Sequence, residues 1–307
     1  MQFKLITLMN RITSYESLER VRSYSSVFSR KVFMDILHYH DFSHLNWLYY
    51  TYDQSQKKID SYYDYILYLY NFITRYYRCE YVFKNEIINQ LLLKKYGTEN
   101  SIAFNEFKVG KSVVDFAVMN GESKAFEIKT QFDSPKRLSK QMEDYQKIFN
   151  KCYVVVSTEE LDYYKNKVDQ TTGIIELYIN RGKIKLKEHR PAIKKMRIDI
   201  DLLMRCLRTQ EYKNIVSLYD GDLPKVNDYC MYDACKMRIK TIPLPQLNDF
   251  FLQEIKKRRN VTNELKEIPK ELRQICLSLN LSKREREKLM MQLNDPITKS
   301  KLCISRI

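Results

Sequence analysis

Three charged residues, Asp115, Glu127 and Lys129, lie in two short runs of alternating apolar and polar residues. The runs flank Asn120-Gly121, a pair typical of a tight hairpin turn. Side chains alternate faces along a strand, so an alignment that buries the apolar residues of both runs brings Asp115 near Glu127, with Lys129 on the same side. Two opposed carboxylates repel each other unless a positive charge lies between them.

A divalent cation supplies such a charge. Mg²⁺ takes oxygen ligands, and proteins bind it through one or two carboxylates together with water and substrate phosphate. Lys129, two residues beyond Glu127, can orient or deprotonate an attacking water and stabilise charge on a phosphate. These residue types therefore predict hydrolysis of a phosphodiester bond. The rival interpretation is a cross-strand ion pair between Asp115 and Lys129 on a solvated face.

The length of the hairpin loop decides whether this arrangement can form. A strict two-residue Asn-Gly turn would pair Ala117 with Lys124, and it would put Asp115 and Glu127 on opposite faces. The site therefore requires a loop with an odd number of residues, or a bulge.

The periodicity of the surrounding sequence predicts alternating helices and strands. In order these are a helix over 81–96, strands over 102–109, 113–118 and 125–129, a helix over 136–150, a strand over 152–157, and a hairpin of 173–179 with 183–187. This order predicts a mixed β-sheet with helices against its faces, which is the α/β class. Residues 1–80 are predicted to form two or three Tyr-rich helices, and the chain from 198 onward to be mostly helical with a loop over 220–245.

Asp115, followed by Glu127-Ile128-Lys129 on the next strand and preceded by a helix with Glu86, resembles the PD-(D/E)xK nuclease superfamily, the fold of many restriction endonucleases and repair nucleases. The stretch FEIKTQFDSPKRLSKQMEDYQKIFNKCYVVVS is similar to a group of small, poorly characterised bacterial members in which the E-x-K strand leads into a helix with Gln and Tyr. The resemblance covers residues 80–215 and departs from the pattern at Val114, where the pattern has Pro. It implies a restriction-endonuclease-like mixed β-sheet core flanked by helices, with helical N-terminal and C-terminal additions.

The resemblance also implies the ligands of the metal. Asp115 and Glu127 would bind Mg²⁺, for which Mn²⁺ can substitute, and the backbone carbonyl of Ile128 would join them. Glu86 matches an acidic residue that some members use for a second metal or an outer-sphere water. An ordinary place on an exposed helix face is the alternative for Glu86.

Two further side chains have implied roles. Lys129 would be the catalytic lysine. Gln141, on the following helix, matches the Gln of the E-x-K…Q subgroup, which orients the site or the phosphate. Because Gln141 borders the apolar stripe of its helix, capping or packing is its alternative role.

Composition favours a polyanionic partner. The 307 residues carry a formal charge of +15, and clustered Lys and Arg release counterions from phosphates on binding. Under the resemblance that partner is nucleic acid, and DNA in particular. An even spread of charge is the alternative, and residues 253–307, with a net charge of +7, are either a phosphate-binding surface or a solvated helix face.

Other features of the sequence predict where in the cell the protein is located. The apolar stretch Ile66–Ile73 is too short to span a bilayer, and no signal peptide is evident, so we expect a cytoplasmic protein without a membrane partner. The seven scattered Cys suit a reducing compartment, and neither Cys230 with Cys235 nor His40 with His44 completes a metal motif. A homo-oligomer is compatible with the sequence.

The sequence therefore predicts three regions: a helical Tyr-rich region over 1–80, a nuclease-like core over 81–215, and a helical basic region over 216–307. The predicted function is metal-dependent hydrolysis of nucleic acid. Two alternatives stay open. The first is a catalytically silent nucleic-acid-binding or assembly protein with the nuclease fold, and the second is a helical structural protein whose basic tail docks an acidic partner.

Overall fold

In a computed structural model, which describes residues 15–55 and 59–297, the chain divides into two compact units. Residues 86–266 form one, here called the sheet unit, and the described residues before 86 and after 266 form the other, here called the helical unit. The region boundaries predicted from the sequence were after residues 80 and 215. Residues 216–266 join the sheet unit because their buried apolar side chains share its core, for example Cys235, Phe251 and Ile255.

The sheet unit is built on one six-stranded mixed sheet, so the α/β class is confirmed. The strands lie in chain order, antiparallel from β1 to β3, parallel from β3 to β5, and antiparallel between β5 and β6. Their bounds are β1 Ile102–Val109, β2 Ser112–Met119, β3 Ser123–Lys129, β4 Lys151–Ser157, β5 Gly173–Asn180 and β6 Lys183–Arg190.

Helices connect and cover these strands. The helical unit contains α1 Tyr15–Ser26, α2 Arg30–Tyr39, α3 Ser43–Leu48, a π-helical turn Tyr49–Asp53 and α4 Tyr62–Tyr76, and α5 Glu80–Glu86 is followed by a π-helix Ile87–Tyr96. In the sheet unit, 3-10 turns Pro135–Arg137 and Thr158–Glu160 precede α6 Leu138–Tyr145 and α7 Leu161–Lys167, and α8 Ile200–Cys206, α9 Thr209–Asp220, α10 Asp228–Ile239 and α11 Leu244–Lys256 follow β6. A 3-10 segment Val261–Glu267 precedes α12 Arg273–Leu279 and α13 Lys283–Leu293.

Two predicted elements differ from the structure. The loop predicted over 220–245 contains α10, whose exposed apolar residues Tyr229 and Met237 blur the buried stripe on its other side. The helix predicted over 136–150 is shorter, because α6 ends at Tyr145 and the chain turns before β4. In the part of the chain that the structure describes, no helix is both long and apolar enough to cross a bilayer.

The tyrosines of the helical unit pack its helices together. Asp53 is fully buried and accepts hydrogen bonds from Tyr24, Tyr65 and Arg20. These buried rings therefore have a structural role, in which they pack the helices of this unit together. His40 caps the end of α2 in a left-handed conformation and His44 lies on α3, so the two do not share a helical face.

The β2–β3 hairpin has the loop that the site requires. Met119 pairs with Ser123, so the loop consists of the three residues 120–122, and Ala117 faces Ala125. The prediction of an odd-numbered loop is confirmed. Gly121 has φ of +87°, a left-handed conformation that glycine adopts without a steric penalty.

The last residue of this loop, Glu122, is held by lysines from three segments. Its carboxylate lies 2.9 Å from Lys151 Nζ, 3.1 Å from Lys194 Nζ and 3.5 Å from Lys124 Nζ. Partial burial alone would raise the pKa of Glu122, but the hydrogen bonds and charges of these lysines outweigh burial and lower it to about 2. The loop is thereby tied to β4 and to the segment after β6.

We expect the Glu122→Gln substitution to lower the free energy of unfolding by about 1–2 kcal/mol at neutral pH, because it removes three ion pairs. A carboxyl with a depressed pKa stabilises the fold above its unfolded pKa and loses that effect as it protonates. The deficit should therefore shrink as the pH falls from about 4.5 toward 2. Urea unfolding across this range measures it, with the exposed Glu99→Gln as control. A deficit independent of pH would contradict the assignment.

Candidate active site

The site begins where strands β2 and β3 part. Their ladder ends at the pair Phe116 and Phe126, and beyond it the carboxylate of Asp115 accepts a hydrogen bond of 2.7 Å from the backbone N–H of Ile128. The Asp115 side chain thus takes the place of a main-chain acceptor in the gap between the strands. The N–H and C=O of one strand residue point to the same side, so the Ile128 carbonyl faces this gap as well.

Glu127 and Lys129 form an ion pair on β3, with 2.7 Å between Lys129 Nζ and Glu127 Oε1. The Glu127 side chain is 1% exposed, because β4 pairs with β3 and helix α6 covers this face. Burial raises the pKa of Glu127, and the positive charge and hydrogen bonds around it offset only part of that effect. A carboxylate is therefore held here against a large desolvation cost.

Helix α6 places two polar side chains over this pair. Gln141 accepts a hydrogen bond of 3.2 Å from Lys129, and the hydroxyl of Tyr145 lies 2.8 Å from Glu127 Oε2. The two residues are four apart on one helix and so lie on the same face. No role at the site was predicted for Tyr145 from the sequence. Its spacing from Gln141 was the available signal for a role at the site.

The hydroxyl of Tyr145 also lies 2.7 Å from the carbonyl oxygen of Val113. The Val113 carbonyl and the Glu127 carboxylate are thus both placed to accept the single phenolic proton of Tyr145. Burial and the negative charges of Glu127 and Asp115 raise the pKa of Tyr145, so both carboxyl groups lie around the same hydroxyl.

Glu86 is not brought to this group. It accepts a hydrogen bond of 2.6 Å from Gln90, whose amide pairs with the outer edge of β6 at Ile184 and Leu186. Strand β6 is three strands away from β3, a distance of about 14 Å at the usual spacing. The five predicted side chains therefore separate into a group of four, Asp115, Glu127, Lys129 and Gln141, and a remote Glu86.

The donor set of the group suits a hard cation with few protein ligands. It offers two carboxylates and one backbone carbonyl, all oxygen, which is the pattern that Mg²⁺ accepts when water and a phosphate complete its coordination. Within residues 15–55 and 59–297, no group of three or more His, Cys, Asp and Glu is placed to hold a metal ion. A cation held by the two carboxylates and the carbonyl would need water or substrate oxygens to complete its coordination.

Comparison with known proteins gives this mixed α/β chain a family. Residues 74–285 match the family described as bacteriophage P4 protein cII. The match spans more than half of the sequence, and the chain belongs to this family. It includes the whole group around Glu127 and all six strands.

Protein cII of Enterobacteria phage P4 is 24% identical over 174 residues, which are 56% of this chain and 65% of the phage protein. The aligned part is thus slightly under two thirds of that relative. A protein of unknown function from Silicibacter pomeroyi covers 42% of this chain and 86% of its own, with 14% identity and a TM-score of 0.27. A likeness at that level carries no argument about fold or function.

The buried ion pair predicts the effect of breaking it. We expect Lys129→Met to lower the free energy of unfolding by about 3–5 kcal/mol, because Glu127 is left buried without its cation. The double variant Glu127→Gln/Lys129→Met should recover most of this loss, since no uncompensated charge remains. Urea unfolding of the single and double variants measures the coupling.

A matched pair on the surface provides the control. Lys165 and Asp162 lie 3.1 Å apart on α7, and Asp162 is 93% exposed. Lys165→Met should cost less than about 1 kcal/mol. Equal losses at Lys129 and Lys165 would contradict the interpretation of Glu127 and Lys129 as a desolvated, coupled pair.

Proposed function

We propose that this chain is a metal-dependent nuclease that hydrolyses phosphodiester bonds, with DNA as the substrate class. The observation that carries the proposal is the buried ion pair of Glu127 and Lys129 beside the carboxyl group of Asp115. Charged groups removed from water lower stability unless they are paired, and such groups concentrate where chemistry needs them. A fold selected for stability alone would be served better by apolar residues on this face of β3.

The proposed roles follow from the contacts. Asp115, Glu127 and the Ile128 carbonyl would hold Mg²⁺ or Mn²⁺, which supplies positive charge to a phosphate oxygen and makes bound water a better nucleophile. Lys129 would donate hydrogen bonds to the attacking water or to a non-bridging phosphate oxygen. Gln141 would fix the Lys129 ammonium, and Tyr145 would fix the orientation of the Glu127 carboxyl group.

In this proposal Glu86 does not bind the metal together with Glu127. It accepts hydrogen bonds from Gln90 and Asn89, and the Gln90 amide in turn bonds the backbone of β6. The proposed site is therefore one cation bound by two carboxylates, without a second metal at Glu86.

The most direct test of activity is the Asp115→Asn substitution. The amide oxygen of asparagine can still accept the Ile128 N–H, so the strands keep their geometry while the site loses one negative charge. With Mg²⁺ or Mn²⁺, the wild-type chain should cleave plasmid, and Asp115→Asn should reduce the rate at least about 100-fold. Melting temperatures of both proteins show whether the fold is intact.

Asp162→Asn, on the exposed face of α7, is the matched control and should cleave like the wild type. Double-stranded, single-stranded and branched substrates should all be assayed. Cleavage of none of them with either metal would refute the proposal. Salt-sensitive DNA binding without cleavage would favour a silent nucleic-acid-binding protein with the same fold.

A further inference from the structure

Positive charge in the sheet unit is concentrated in one short segment. Residues 86–266 carry a net charge of +8, and residues 181–197 alone carry +7. This segment, β6 and the chain that follows it, has one acidic residue, Glu188, and eight basic ones: Arg181, Lys183, Lys185, Lys187, Arg190, Lys194, Lys195 and Arg197. The even spread of charge left open by composition therefore does not describe this unit.

Part of this charge has a structural use. Arg190 donates to the carbonyl oxygens of Thr172 and Asp169, and Lys194 pairs with Glu122. The three lysines of β6, Lys183, Lys185 and Lys187, are exposed, and in the residues that the structure describes their side chains make no ion pair or hydrogen bond. They are called the β6 lysine row below.

The β6 lysine row lies on the face of the sheet that carries the candidate site. Lys129 pairs across the sheet with Val156, Val156 with Glu176, and Glu176 with Lys187. Directly paired residues point to the same face, so Lys187 shares the face of Lys129, about 14 Å away over three strand spacings. Lys185 and Lys183 continue the row at intervals of about 7 Å past the carboxyl ends of β3 and β4, the edge where open sheets bind ligands.

Of the acidic residues nearby, Glu176 lies opposite Lys187 and interacts with it electrostatically, whereas Lys185 and Lys183 lie opposite the uncharged Tyr178 and Asn180. Glu188 occupies the other face, where it bonds Lys95 and Tyr153. Glu176 is 10% exposed and has its carboxylate 2.6 Å from His189. Tyr178 faces Lys185 on the neighbouring strand and is partly exposed. A row of cations with an adjacent aromatic ring is the combination that proteins use to track a nucleic-acid backbone and stack a base.

We propose that the β6 lysine row binds the sugar-phosphate backbone of the nucleic acid whose scissile phosphate lies at Asp115 and Glu127. The position of the scissile phosphate rests on the proposed function. Binding of nucleic acid by the β6 lysine row does not depend on it. The distance of about 14 Å corresponds to about four nucleotides at 3.4 Å each. The substrate therefore extends at least that far from the cleaved bond, across the ends of β4 and β5.

Binding tests the row without requiring cleavage. Fluorescence anisotropy with labelled single-stranded and duplex 20-mers, in the absence of divalent metal, should give a Kd at least about 10-fold higher for Lys183→Ala/Lys185→Ala/Lys187→Ala than for the wild type. The slope of log K against log salt should fall in magnitude by about 2–3, because three phosphate contacts are lost. Which probe loses more affinity distinguishes a single-stranded from a duplex partner.

The triple variant Lys225→Ala/Lys240→Ala/Lys256→Ala removes the same charge from exposed positions elsewhere in the sheet unit and should bind nearly as the wild type does. Equal weakening by both triple variants, or no binding of either probe by the wild type, would overturn the proposal. So would sedimentation with phosphatidylserine vesicles that depends on the row when neither oligonucleotide binds.

A short substrate separates this proposal from the proposed function. Hydrolysis of bis(4-nitrophenyl) phosphate, which is too small to reach β6, should be unchanged by removing the row, whereas cleavage of a 20-mer should fall about 10-fold or more. Binding that depends on the row without any hydrolysis would support the surface and refute the nuclease. Hydrolysis of both substrates unaffected by the row would refute the surface and leave the nuclease intact.

Discussion

The candidate site depends on one interaction, the ion pair between Glu127 and Lys129 on a strand that is buried along its whole length. In such surroundings each charge needs the other, because neither can be solvated by water. The neighbouring elements supply polar contacts to this ion pair. Helix α6 must follow β3 closely enough for Tyr145 to reach one oxygen of Glu127 and for Gln141 to reach the ammonium. The crossover from β3 to β4 is thus constrained by polar contacts as well as by its apolar stripe.

The second constraint is the parting of β2 from β3. A continuous ladder would engage the N–H and C=O of Ile128 with main-chain groups of β2. Instead the ladder stops after Phe116, and the Asp115 carboxylate binds the freed N–H. This exchange brings the carboxyl group of Asp115 into the gap between the strands, and the carbonyl of Ile128 faces the same gap. A three-residue loop at the other end of the hairpin sets the register that makes it possible.

Much of this could be predicted from the sequence. Period-two alternation located β2 and β3, and the requirement that both bury their apolar faces forced the odd loop length. Lys129 and Gln141 were assigned to the site from motif order. Glu86 could not be placed, because periodicity predicts a helix but not which strand that helix packs against. The hydroxyl of Tyr145 was missed because a tyrosine on an apolar stripe usually contributes only its ring.

The boundaries of the sheet unit also could not be predicted from the sequence. Nothing in the composition of 216–266 distinguishes helices that cover the sheet from those that follow it, since both have one apolar face. The concentration of charge in 181–197 was visible in the sequence, but its meaning depends on strand order. Only the cross-strand pairing of Lys129, Val156, Glu176 and Lys187 places that charge on the face of the site.

The central claim is that the carboxyl groups of Asp115 and Glu127 together bind one divalent ion beside Lys129. Electron paramagnetic resonance of Mn²⁺, titrated into the chain with a cleavage-resistant phosphorothioate oligonucleotide, measures this most directly. The account predicts one bound Mn²⁺ per chain that Mg²⁺ displaces, and its loss in both Asp115→Asn and Glu127→Gln variants whose melting temperatures show that they are folded. Equal Mn²⁺ binding by the wild type and both variants would contradict it.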